Sequence, residues 1–101
     1  VGQFKILPSL QCEREDAASF SLNGDVYVSG GYSGRKLDTV ERLEFHQTTH
    51  APSWKIMSSC KLPYTVDYHQ TVVIGKKIYL TGGNDDRGKE VKRKGKVCKK
   101  T

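Results

Sequence analysis

The chain of 101 residues has room for one small domain, and its apolar share of 36% beside 28% charged residues indicates a thin core. Because the sequence has no apolar run of membrane-spanning length, we expect no membrane insertion. Residues 87–101 carry eight basic residues and one acid (+7), whereas residues 1–86 carry nine basic and ten acidic residues (−1). The neutral body disfavours nucleic-acid binding, and residues 84–101 are typical of a disordered basic tail.

Short apolar runs between turn residues predict seven strands and no helix. In chain order they are a strand at 3–7, a hairpin at 17–30, strands at 39–45 and 53–58, and a hairpin at 69–82. Asn23-Gly24 is a strong signal for a two-residue hairpin turn, and Gly75-Lys76 is a weaker version at the matching place.

The sequence contains a repeat. "VYVSGG" at residues 26–31 returns as "IYLTGG" at residues 78–83, and "FKIL" at residues 4–7 resembles "WKIM" at residues 54–57. A period of about 50 residues with four strands is the unit of a β-propeller blade. We therefore expect the last strand of one blade in residues 1–7, a complete blade in 17–58 and the first two strands of another in 69–83.

The order Gly30-Gly31, Val40-Glu41-Arg42 and Trp54 resembles a kelch repeat. The resemblance implies an all-β fold of antiparallel four-stranded kelch blades, with residues 1–83 forming part of a propeller. We expect the kelch signature residues to pack the blades, and we expect the Glu-Arg pair to bridge strands or to cap loop backbone. The signature residues are Tyr27, Gly30, Gly31, Glu41, Arg42, Trp54, His69, Tyr79, Gly82 and Gly83.

The resemblance also implies function, because kelch loops at one face of the propeller bind partners. We expect a non-catalytic protein–protein interaction module, such as a BTB-kelch type adaptor that recognises substrates of a cullin-type ubiquitin ligase. Two alternatives stay open: an actin-binding kelch scaffold, and a non-catalytic fragment of a galactose-oxidase-like or sialate-processing propeller enzyme. The candidate partner-binding residues are Arg14, Asp16, Tyr32, Ser33, Arg35, Tyr64, Asp67, Tyr68, Asn84 and Arg87.

No pattern in the sequence indicates a catalytic group, a cofactor or a metal site. His46 and His50 lack further ligands at metal-binding spacing, and Asp85-Asp86 lacks the other oxygen ligands that a hard cation needs. The three cysteines are an odd number without CxxC spacing, so we expect reduced thiols and a cytoplasmic protein. A single complete blade leaves its packing faces open, so we also expect the isolated chain to aggregate or unfold readily.

Overall fold

A computed structural model describes residues 2–85 and the backbone of residues 95–99. The all-β prediction is confirmed, and no helix that could cross a membrane occurs among these residues. The strands are β1 (Ala18–Leu22), β2 (Asp25–Ser29), β3 (Thr39–Phe45), β4 (Pro52–Lys61), β5 (Asp67–Ile74), β6 (Lys77–Asn84) and β7 (Gly95–Lys99).

The strands form two antiparallel sheets. The first sheet has the order β1-β2-β3-β4, and the second sheet has the order β5-β6-β7. Both predicted hairpins are present. Asn23 and Gly24 have φ angles of 53° and 83°, the positive values that a type I′ turn requires at its two central residues.

The repeat is visible in the backbone as well as in the letters. Asp16 and Tyr68, 52 residues apart, have φ angles of 56° and 57°. Gly31 and Gly83, again 52 apart, have φ angles of 97° and 88°. The same backbone conformation therefore occurs twice, once at the end of each sheet.

The expected strand at residues 3–7 is wrong, because residues 2–10 have no regular structure. Phe4 and Ile6 are wholly exposed, at 106% and 100%. A strand needs the edge of another strand for its backbone hydrogen bonds, and this segment pairs with none of the described strands. The alternation of apolar residues in this segment is therefore not sufficient to form a strand.

The expectation of a tail without regular structure needs correction at residues 95–99, which form β7. This strand occupies the place in the second sheet that β3 has in the first: Tyr79 pairs with Lys96 as Tyr27 pairs with Arg42. Without β7, the backbone groups along one side of β6 would lack strand partners, so pairing outweighs the high local charge. Residues 86–94 and 100–101, with the predicted site residue Arg87, lie outside the described residues.

Cysteine usage also differs from the prediction. Cys12 is free, but Cys60 on β4 is disulfide-bonded, so the expectation of reduced thiols is wrong for Cys60. The cytoplasmic location stays a prediction, and the cysteines no longer support it.

The core lies between the two sheets. Phe20 and Tyr27 of the first sheet stack with ring centroids 4.8 Å apart. Facing them are Ile78 and Leu80 of β6, both fully buried. The remaining core residues are Leu22, Val40, Cys60, Leu62 and Val66. The last two belong to the connection between β4 and β5, so this connection is itself part of the packing.

Candidate partner-binding face

Three loops and the first two residues of β5, Asp67 and Tyr68, meet at one end of the two sheets, and we call their exposed side the loop face. The loops are residues 11–17 before β1, residues 30–38 between β2 and β3, and residues 62–66 between β4 and β5. Backbone hydrogen bonds join them: Gly31 N donates to Val66 O at 2.9 Å, and Val66 N donates to Leu37 O at 3.1 Å. The loops are thus held as one surface rather than as separate flexible segments.

Tyr32, Ser33 and Arg35 are exposed on the β2–β3 loop. Tyr32 exchanges two backbone hydrogen bonds with Glu15, at 3.0 and 2.8 Å, while its side chain is 41% exposed. Ser33 N donates to Arg35 O at 2.9 Å, which closes the tip of the loop. The backbone of this loop is therefore fixed, and its side chains are available to a partner.

Asp16 and Tyr68 come together although they are distant in sequence. Tyr68 N donates to Asp16 O at 2.9 Å, and both side chains are exposed. A hydrogen bond to the Asp16 carboxylate, with the charge of that carboxylate, raises the pKa of the Tyr68 hydroxyl. The ring of Tyr68 is 65% exposed, so an aromatic surface stands beside a negative charge.

Asp67 and Asn84 serve the strand ladder instead of facing solvent. Asp67 is 6% exposed and lies opposite Asn84 in the pairing of β5 with β6. Its Oδ1 is 3.7 Å from Lys36 Nζ, which also donates to the Asp85 carbonyl at 2.5 Å. Tyr64 is half-buried and packs against the core. These residues support the loop face from beneath.

Arg14, which was predicted to bind a partner, does not contribute its side chain to the binding surface. Its side chain is fully buried, and Nε donates to Glu41 Oε2 at 2.9 Å. Nη1 donates to the carbonyls of Gly30 at 3.0 Å and Thr39 at 2.8 Å, and Nη2 donates to Thr39 Oγ1 at 2.8 Å. This guanidinium ties the first loop to the end of β2 and the start of β3, and its full burial keeps it from contacting a partner.

Among the kelch signature residues, Glu41 and Trp54 are buried in packing positions, whereas Arg42 is not. Glu41 is fully buried and accepts hydrogen bonds from the backbone N–H groups of Gln11 at 2.6 Å and Cys12 at 3.2 Å. Trp54 is 8% exposed and donates from Nε1 to the Pro8 carbonyl at 3.0 Å. Arg42, which is partly exposed, pairs with Glu44 on the same strand.

His69 and Gly30 lie at the contact between the sheets. His69 is 4% exposed, with Nε2 3.1 Å from Ser29 Oγ. Burial lowers the pKa of His69, although the nearby Asp67 carboxylate opposes the shift. A Cβ added at Gly30 would stand 2.7 Å from His69 Cε1, so the glycine permits this close approach. Tyr79 and Gly82 are half-buried on β6.

The structure adds acidic residues that sequence reasoning had not selected. Glu13 and Glu15 are exposed beside Tyr32. A cleft of about 530 Å³ lies here, lined by Ser9, Leu10, Glu13, Arg14, Glu15, Tyr32, Ser33 and Gly34. The run Glu13-Arg14-Glu15-Asp16 is visible in the sequence, but only the burial of Arg14 shows that the three acids face solvent without their neighbouring base.

The opposite end of the first sheet carries a second cleft, of about 740 Å³, beside Asp25, Phe45 and His46. His46 Nδ1 accepts from the backbone N–H groups of Thr48 and Thr49, both at 3.3 Å, which is a turn-stabilising arrangement. Within residues 2–85, no three His, Cys, Asp or Glu side chains are grouped to hold a metal ion. The histidines therefore have a local structural explanation.

The kelch motif is the protein family whose model matches this chain, over residues 13–48. The match begins in the first loop and continues through β1, β2 and β3 into the turn that follows, so it includes the Gly30-Gly31 pair and Glu41-Arg42. No curated protein matches the chain. Kelch repeats generally mediate protein–protein binding, and the match together with the two antiparallel sheets supports a kelch-repeat protein.

Proposed function

We propose that the chain is a protein-interaction module whose loop face binds an extended basic segment of a partner protein. The observation that carries the proposal is the composition of the loop face. Tyr32 and Tyr68 supply exposed aromatic surface, and tyrosine is enriched among the residues that dominate binding energy. The fixed backbone beneath them reduces the ordering entropy that binding would cost.

The charge of the loop face selects the partner. Glu13, Glu15 and Asp16 are exposed, and the basic residue exposed nearby in the β2–β3 loop is Arg35. Lys36 already pairs with Asp67, so it does not offset these carboxylates. A partner segment with Arg or Lys would match the excess of negative charge, and its apolar stems would pack on the tyrosine rings.

The test is fluorescence anisotropy of two labelled peptides of equal length, one rich in Lys and Arg and one rich in Asp and Glu, with the full chain. We expect saturable binding of the basic peptide, weakened about tenfold or more in a Tyr32→Ala, Tyr68→Ala double variant. Phe45→Ala is the matched control, because Phe45 is 59% exposed and lies at the opposite end of the first sheet. Equal binding of both peptides, or equal loss in the control, would contradict the proposal.

The larger role follows from the same surface. We propose that the loop face selects substrates for a cullin-type ubiquitin ligase, with the ligase contact made by another part of the protein. Support comes from the kelch motif and from a rigid face that a substrate segment could occupy. Affinity isolation of the full-length protein from cells should retain a cullin, and the Tyr32, Tyr68 double variant should keep the cullin while losing substrate. Absence of any cullin would exclude this role and leave the binding module intact.

A further inference from the structure

We propose that the outer face of the second sheet binds the open face of the first sheet in another copy of this chain, so that copies join head to tail. The outer face consists of Gln70, Val72, Ile74, Tyr79 and Thr81. The open face consists of Ser19, Ser21, Val26 and Val28. Both faces are named by the side of the strand on which these residues lie, since alternate residues of a strand point to opposite sides.

The outer face exposes more apolar surface than a solvated sheet should. Val72 is 47% exposed and Ile74 is 63% exposed, and with Tyr79 and Thr81 they line a hollow of about 330 Å³. Val72 lies opposite Tyr79 in the pairing of β5 with β6, so the two side chains share one side of the sheet. Contiguous exposed apolar surface of this kind marks an interaction site.

The internal repeat shows what covers such a face. Positions 52 residues earlier than the outer face are Ala18, Phe20, Leu22, Tyr27 and Ser29. In the first sheet this side is buried, with Phe20 at 7%, Leu22 at 4% and Tyr27 at 7%, and it packs against the second sheet. The chain therefore contains one filled example of the same interface.

The side of the second sheet that covers the first sheet also has an equivalent in the repeat, and this equivalent is left uncovered. The second sheet covers the first with Thr71, Val73, Ile78 and Leu80, and Thr71 Oγ1 donates to the Ser19 carbonyl at 3.0 Å. Positions 52 earlier are the open face of the first sheet, where Val26 is 38% exposed. Each copy thus has both halves of the interface, one at each end, and this pattern produces head-to-tail association.

One glycine position shows the difference between the filled and unfilled sites. A Cβ at Gly30 would lie 2.7 Å from His69 Cε1 and 2.9 Å from Leu62 Cδ1. At Gly82, the equivalent position, an added Cβ would have nothing within 4 Å. The contact between copies is weaker than the internal one, because Ala17 stands where His69 stands in the repeat and cannot reproduce the hydrogen bond to a hydroxyl.

The test measures the mass of the full 101-residue chain by analytical ultracentrifugation over about three decades of concentration. The wild-type mass should rise above 11.3 kDa as concentration rises. Val72→Glu on the outer face and Val26→Glu on the open face should each keep the chain monomeric, with dissociation constants at least about tenfold higher, because burial leaves the carboxylate unpaired. Gln47→Glu is the charge control, since Gln47 is exposed in the β3–β4 turn.

Mixing the two variants gives the decisive result. The Val26→Glu chain keeps an intact outer face and the Val72→Glu chain keeps an intact open face, so an equimolar mixture should form dimers and nothing larger. Circular dichroism confirms that each variant is folded. A monomeric wild type at every concentration, association that survives Val26→Glu, or a mixture that stays monomeric would each overturn the proposal. The first of these is expected if another polypeptide segment occupies the face, and the second if two outer faces pair symmetrically.

Discussion

Replacing Arg14 with alanine should destabilise the fold strongly, because Arg14 is fully buried and forms an ion pair with a fully buried Glu41. The change removes four donor contacts, to Glu41, Gly30 and Thr39, and leaves the carboxylate without its counter-charge. Removing one partner of a buried pair costs about 3–5 kcal/mol. Small domains have total stabilities of about 5–15 kcal/mol, so urea denaturation should show a much lower midpoint.

Arg42→Ala is the matched control for this experiment. Arg42 also pairs with a glutamate, Glu44, but the two side chains are 30% and 33% exposed. An exposed pair contributes about 0–1 kcal/mol, so the control should lose little stability. Arg14→Lys is the second variant in case Arg14→Ala fails to fold. Its loss of stability should be intermediate, because lysine keeps the charge but loses the planar donor fork. Equal costs for Arg14→Ala and Arg42→Ala would refute the reasoning.

Two further predictions concern the contact between the sheets. Burial lowers the pKa of His69 in the folded state, so the unfolded chain binds a proton first as pH falls below about 6.5, and the free energy of unfolding should decline from there until the folded pKa is reached. His69→Gln should flatten this part of the profile of urea midpoint against pH. An unchanged slope would count against the burial argument. Gly83→Ala should cost more stability than Gly82→Ala in thermal melts, because both have positive φ but only at Gly83 would the Cβ meet the Asp67 carbonyl, at 2.7 Å; equal costs would show that φ strain alone decides.

The sequence predicts the parts of the fold that depend on local chemistry and on the repeat. Asn23-Gly24 is sufficient to place the first hairpin, since few residues accept positive φ at both positions. The 52-residue spacing identifies Gly31 and Gly83 as equivalent, and their φ angles of 97° and 88° lie in the same positive region. The predictions that failed concern pairing between segments that are distant in the sequence. Whether "FKIL" or residues 95–99 form a strand depends on which sheet edge is free, and that is decided by tertiary pairing.

In the candidate site, too, the sequence predicts what local chemistry decides and misses what tertiary contacts decide. Tyr32 follows the Gly30-Gly31 pair, and Tyr68 precedes the apolar residues of β5, so the sequence could predict that both lie on the surface. Arg14 could not be placed, because four residues in succession, Glu13 to Asp16, are charged and nothing local distinguishes the one that turns inward. A signal did exist in Glu41: a carboxylate next to Val40 on the core side of β3 must be satisfied if buried, and the loop nearest to it contains the available base.

The backbone at Asp16 and Tyr68 connects the packing of the sheets with the loop face. Both residues have φ near +56°, an unfavourable conformation for residues with a Cβ, and such strain costs about 1–3 kcal/mol at each position. A Cβ at Gly31 would lie 2.7 Å from Glu15 O, and one at Gly83 would lie 2.7 Å from Asp67 O, so a glycine packs closely against the residue before each position. The Tyr68 N–H donates to the Asp16 carbonyl at 2.9 Å and joins the two positions. The repeat that buries the sheets against each other therefore also brings together two side chains 52 residues apart in the chain. Because that placement is fixed by backbone, recognition can select the side chains at both positions among the residue types that accept positive φ.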